Sequence, residues 1–107
     1  MLYVDFSAGN KDYKLRLDTR NVVAFEKVVG CNPLAIFGNG ETMPTITTMV
    51  AVLHASLQHF HHGISMSDAY GIFDEYLEDH KLTDFVKVII DIYRVSGLIP
   101  EETNEKN

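Results

Sequence analysis

Five histidines, one cysteine and a run of carboxylates are the residues of this 107-residue chain with chemistry to offer. A zinc site on a helix places its ligands on one face, commonly at i and i+4, with a carboxylate nearby. His59 and His62 are three apart and His54 and His61 seven apart, but the two pairs face different sides of a helix, and no carboxylate shares that stretch. His80 stands alone, and the histidines read as a polar helix end, not as a metal centre. Cys31 follows a predicted helix C-terminus, where the helix dipole opposes a thiolate and keeps nucleophilicity low. Asp74, Glu75, Glu78 and Asp79 cluster in the manner of the solvated face of an amphipathic helix. Gly38-Asn39-Gly40 lacks the lysine and the strand–loop–helix setting of a phosphate loop. The residues therefore assign no catalytic, cofactor-binding or metal-binding role, and the chain is expected not to be an enzyme and to need no cofactor.

Composition bounds the remaining classes. Hydrophobic residues make up 46% and charged residues 22%, which suits one globular domain with a thin core. A net charge of −6 disfavours a phosphate backbone as partner. The densest basic group, Lys11, Lys14, Arg16 and Arg20, is diluted by Asp5, Asp12 and Asp18. No nucleic acid is expected. A single cysteine forms no internal disulfide and suits a reducing cytosol. The opening Met-Leu-Tyr-Val-Asp-Phe contains no basic n-region and carries an acid at position 5, unlike a signal peptide. No apolar run reaches the ~18 residues that cross a bilayer, so no membrane is expected either.

The elements that must position these side chains follow from periodicity. Residues 2–6 and 13–18 alternate, with the turn cluster Ser7-Ala8-Gly9-Asn10-Lys11-Asp12 between them, which predicts a β-hairpin with one apolar face. A lone hairpin is marginal in water, so its apolar face must lie on helices while its edges stay free to pair. Asp18 or Thr19 caps a helix over 20–29 with Val22, Val23, Ala24, Phe25, Val28 and Val29 as its apolar side, stopped by Gly30. A short helix is expected from Pro33 through Phe37. The next runs from Pro44 to His62 with Ile46, Met49, Val50, Leu53, Leu57 and Phe60 at buried-stripe spacing. Between Glu41 and Asp68 no Asp, Glu, Lys or Arg occurs, as suits a helix enclosed by neighbours or by another protomer. Ser65 or Ser67 caps a helix to about His80, cored by Ala69, Ile72, Phe73, Tyr76 and Leu77. A last helix begins near Leu82 and ends at Ser96, before Gly97 and Pro100. The fold class is mainly α (α+β), an N-terminal hairpin followed by four to five packed helices. Residues 1–99 form one domain and 100–107 a disordered tail.

The last helix carries more apolar surface than one packing face requires. At ~100° per residue, Leu82, Phe85, Val86, Ile89 and Tyr93 form one stripe, and Val88, Ile92, Val95 and Ile99 an adjacent second one. Together with Ile90 they span roughly 220°, about twice what a helix on one core surface needs. Two readings stand side by side: a central helix buried on most sides, or a second stripe that meets a partner. Val88, Ile92 and Val95, with Phe60 from the uncharged helix, are the candidate partner-binding residues.

The segment Tyr13-Lys14-Leu15-Arg16-Leu17-Asp18-Thr19-Arg20-Asn21-Val22-Val23-Ala24-Phe25-Glu26-Lys27, followed by Gly30-Cys31-Asn32-Pro33-Leu34, resembles the strand-to-helix opening of tail assembly chaperones of siphophages and prophages of Gram-positive bacteria. Leu53-His54-Ala55-Ser56-Leu57-Gln58-His59 with His62-Gly63-Ile64 resembles that family's central helix and its exit, and Tyr93-Arg94-Val95-Ser96-Gly97 its close. The resemblance covers about residues 13–99, through the order of its pieces and their total length. It implies a chaperone that binds the long, hydrophobic, helical tape measure protein and keeps it soluble while the tail tube polymerises. The tail tube protein is a second candidate partner. It further implies self-association into oligomers or spirals, residence in the host bacterial cytoplasm and absence from the mature virion. Two other classes remain: a structural head–tail connector or tail component retained in the particle, and a small metal- or nucleotide-dependent enzyme.

Overall fold

A computed structural model describes residues 2–37 and 43–100. The predicted loop at 38–40 and the tail beyond residue 100 lie outside them. Strands β1 (Val4–Ala8) and β2 (Lys11–Leu15) form an antiparallel hairpin in which Phe6 pairs with Tyr13 and Ala8 with Lys11. The strands reach further into the predicted turn cluster than the alternation indicates, leaving a two-residue connection at Gly9-Asn10. Gly9 takes φ +61° at the first central position, where a tight hairpin turn favours glycine.

Among the described residues four α-helices and one 3₁₀ turn follow, in keeping with the mainly α (α+β) reading. Helix α1 (Thr19–Val29) starts where Asp18 Oδ1 accepts from Asn21 N at 2.9 Å and stops at Gly30, φ +79°, whose N–H donates to Glu26 O. The 3₁₀ turn spans Pro33–Phe37. Helix α2 (Ile46–Leu57) is capped by Thr45, and α3 (Met66–Tyr76) by the reciprocal Ser65–Asp68 box. Helix α4 (Leu82–Val95) opens where Asp84 accepts from Lys81 N at 2.9 Å.

Helix α2 is the centre of the molecule, touching α1, α3, α4 and β2. Met49 through Leu53 and Ala55 through Leu57 are all buried. Enclosure within the chain itself therefore accounts for its lack of charge, because a buried ionised group costs heavily unless paired. The apolar faces of the hairpin and of α3 and α4 meet in an aromatic cluster. Phe6 stacks on Tyr76 at 4.9 Å between centroids, and Phe85 meets Phe73 edge-on at 5.1 Å.

Two helices end earlier than their apolar periodicity extends. Helix α2 stops at Leu57, not His62, because the Gln58 side chain donates to both His54 O and Ile64 O and draws residues 58–63 into turns. Helix α3 stops at Tyr76, and the turn after it brings the His80 ring onto the Tyr76 ring at 4.3 Å. Helix α1 packs with a single line of residues: only Phe25 is buried, Val22 and Val29 are half-buried, and Val23 and Val28 are 44% and 58% exposed. The six-residue apolar side read for this helix is too broad, since α1 sits at the edge of the bundle against α2 and the 3₁₀ turn.

Candidate functional site

The four residues predicted to bind a partner fall in different environments. Ile92 has no exposed surface and belongs to the core, so this side chain is out of a partner's reach while the domain is folded. Val88 and Ile99 are half-buried and pack on the same core. Val95 is half-buried and lines a groove of about 340 Å³ with Tyr3, Val4, Asp91 and Arg94. Phe60 is 38% exposed. The wide apolar arc of α4 is thus largely closed within the chain, with Phe85, Ile89, Ile92 and Tyr93 buried. Tyr93 is fixed further by donating its hydroxyl to Pro33 O at 2.8 Å, and burial pushes that phenol above its usual range.

The free hairpin edge needs correction on one side. Lys14 N donates to His61 Nε2 at 2.9 Å and Arg16 N donates to Ser56 O at 2.9 Å. Helix α2 and its exit turn therefore occupy one outward-facing donor of β2, at Lys14, and the next one along the chain just past the strand, at Arg16, in place of another strand. The outer edge of β1, at Asp5 and Ser7, receives no such backbone partner among the described residues. Around the β2 edge the exit turn forms a clamp. The His61 ring meets Tyr13 at 5.3 Å, while Phe60 meets Tyr3 at 5.7 Å, with the Lys14 ammonium 5.0 Å from the Tyr3 centroid. His59 Nδ1 lies 2.9 Å from Asp18 Oδ2 and ties the turn to the start of α1. That hydrogen bond is the main cause holding the Asp18 carboxyl below its ordinary range. Desolvation, with a smaller contribution from Lys14, lowers the pKa of His61 and favours the neutral ring that the Lys14 bond requires.

These contacts give His59 and His61 separate structural partners. His54 is half-buried and lines the α1–α2 groove, His62 is exposed and His80 stacks on Tyr76. Among the described residues no group of three His, Cys, Asp or Glu side chains is placed to hold a metal ion. Cys31 is half-buried and free. Asp74, Glu75, Glu78 and Asp79 all face solvent. No described helix is long and apolar enough to cross a membrane.

An open cleft of about 710 Å³ has no counterpart in the sequence reading. It lies between the hairpin tip and α3 and is lined by Lys11 and Tyr13 on one side and Asp68, Gly71, Ile72 and Glu75 on the other. Burial, then the Glu75 carboxylate, pushes the Tyr13 phenol above its ordinary pKa. The signal available in the sequence is Gly71, a glycine in a helix interior with no turn to form. Compared with family models, with curated proteins and with solved structures, the chain matches none of them.

Proposed function

We propose that this chain is a protein-binding chaperone that coats an apolar helical partner, of the kind represented by phage tail assembly chaperones acting on the tape measure protein in the bacterial cytoplasm. The observation that carries this reading is the apolar surface left over after the core is complete. Val23 and Val28 on α1, Leu34 on the 3₁₀ turn, Met43 and Ile46 at the entry to α2, and Phe60 at its exit are each at least 38% exposed. Scattered single apolar side chains are ordinary on a monomer. Six of the eight such side chains among the described residues lie on α1, the segment after it and the two ends of α2, the others being Leu2 and Tyr70, and we take that concentration as surface used in association. The order of elements agrees with the resemblance: strand into helix over 13–29, one central uncharged helix, and a closing helix ended near Gly97. Self-association belongs to the same reading.

Co-expression with a tape measure protein from a siphophage of a Gram-positive host tests the proposal. The expected result is a larger soluble fraction of that partner, co-purifying with this chain and lost when Val23 and Val28 are both changed to Ser. An insoluble partner, together with recovery of this chain in purified virions, would instead place it among the structural tail or connector proteins.

A further inference from the structure

Gly71 sits inside α3, where glycine weakens a helix relative to alanine, yet a Cβ built on it meets no atom within 4 Å. Folding therefore gives no reason for the missing methyl group. What the missing side chain does provide is an approach to bare helix backbone at the floor of the cleft between α3 and the hairpin. Asp68 and Glu75 stand at either end of that floor, seven residues apart, or ~10.5 Å along the axis. Asp74, Glu78 and Asp79 extend the acidic surface, and no Lys or Arg occurs from 66 to 79. Lys11 is the opposing charge, lining the cleft from the hairpin side, with no ion pair to Glu75 among the described residues.

The complement lies on this same chain. The outward ridge of α1 presents Arg20 and Lys27, also seven residues apart, with exposed Val23 and Ala24 between them. Its one acid, Glu26, is half-buried. Helices α1 and α3 both pack on α2 and are not principal neighbours of each other, so the two faces are separate surfaces of one molecule.

We infer that the α3 cleft receives the α1 ridge of a second copy of this chain. The helices run antiparallel, so that Arg20 meets Glu75, Lys27 meets Asp68, and Val23 and Ala24 rest on Gly71. Two different faces meet, so the contact is head-to-tail and leaves a free donor and a free acceptor at the ends of any assembly. The inference rests on the self-association contained in the proposed function and gives it a surface and a polarity.

Sedimentation of the purified chain over a concentration series tests it through three variants. Arg20→Glu and Glu75→Arg should each weaken association by about tenfold or more, since like charges then meet at the contact. An equimolar mixture of the two should associate again. In an alternating assembly, every contact then joins opposite charges, either the native pair or the same pair with its signs exchanged. Gly71→Ala should raise the melting temperature while weakening association, a combination that misfolding does not produce. Added salt should weaken the wild-type contact. A chain that stays monomeric at millimolar concentration, a mixture that fails to recover, or an alanine variant that associates as wild type overturns the inference. So does a monomer that binds only an added basic helical peptide. A chain that solubilises the tape measure protein yet never self-associates sinks this inference and leaves the proposed function standing.

Discussion

Lys14 donates its backbone N–H to an imidazole nitrogen, and that bond requires His61 to be neutral. Desolvation first, and the Lys14 charge second, hold the folded-state pKa of His61 below its ordinary 6.5. As pH falls, the unfolded chain takes up this proton before the folded one does. The stabilisation is therefore present above about 6.5 and is lost as pH drops through the folded-state value. Asp18 acts lower: its depressed carboxyl adds stability that is present above its ordinary 3.8 and lost as pH falls through the folded value. The melting temperature should fall between about pH 7.5 and 5.5, and His61→Gln, which keeps an acceptor but does not titrate, should flatten that fall. An unchanged slope in the variant would remove His61 from the account. The residues of α4 separate in a similar test. Ile92→Ser should cost ~2–4 kcal/mol because it cuts a fully buried side chain, whereas Val95→Ser should cost less than about 1 kcal/mol. Equal losses in thermal melts would mean that Val95 is core as well.

At the scale of elements, the helix starts and the hairpin are legible because they are set by local chemistry. Asp18, Ser65 and Gly30 occupy caps that their types and neighbours favour. Ser65→Ala should accordingly cost ~1 kcal/mol by removing one half of the reciprocal box at α3, as read from chemical denaturation. No change would mean that Asp68 alone holds the turn. The helix ends after α2 and α3 are less legible, since they depend on where one side chain finds a distant carbonyl or ring. Gln58 reaches Ile64 O and His80 lies on Tyr76, and neither contact leaves a period in the sequence. The same holds for the β2 edge. Alternation shows that Lys14 points away from the core, but not that a histidine 47 residues later covers its N–H. Burial of α4 escapes the sequence for a related reason: an arc of apolar residues reports how much surface must be covered, and not whether the cover is the hairpin, α2 or another chain. Of the candidate surface, Phe60 is singled out by residue type alone, Val23 and Ala24 of the α1 ridge read as core, and the α3 cleft has only Gly71 to announce it.

For the whole molecule, the question is what joins a marginal hairpin to a bundle of short helices, and Arg16 supplies much of the answer. Its guanidinium donates to Leu2 O at 2.8 Å and to Val95 O at 2.9 Å, and its backbone N–H donates to Ser56 O. One residue thus joins the approach to β1, the end of α4 and the last turn of α2. Leu17 N adds a bond to Ser96 Oγ at 2.9 Å, fixing the same corner. Hydrogen bonds from a charged donor contribute about 1.5–3 kcal/mol each. Both guanidinium bonds here end on carbonyls that are partly exposed, which places their joint effect toward the low end of that range. Arg16→Met keeps the apolar stem and loses both bonds, so it should cost about 2 kcal/mol while leaving a single cooperative transition. Hydrogen exchange should then quicken at Leu17 and through the last turn of α4, and remain unchanged at Gly30, whose bond to Glu26 lies at the far end of α1. If exchange instead rises evenly over the whole chain, Arg16 contributes only to global stability and the corner has no separate existence. If it rises at the corner alone, the end of α4 and the groove beside Val95 can open without unfolding the α1 ridge or the α3 cleft, and the two faces proposed for self-association stay formed while that corner moves.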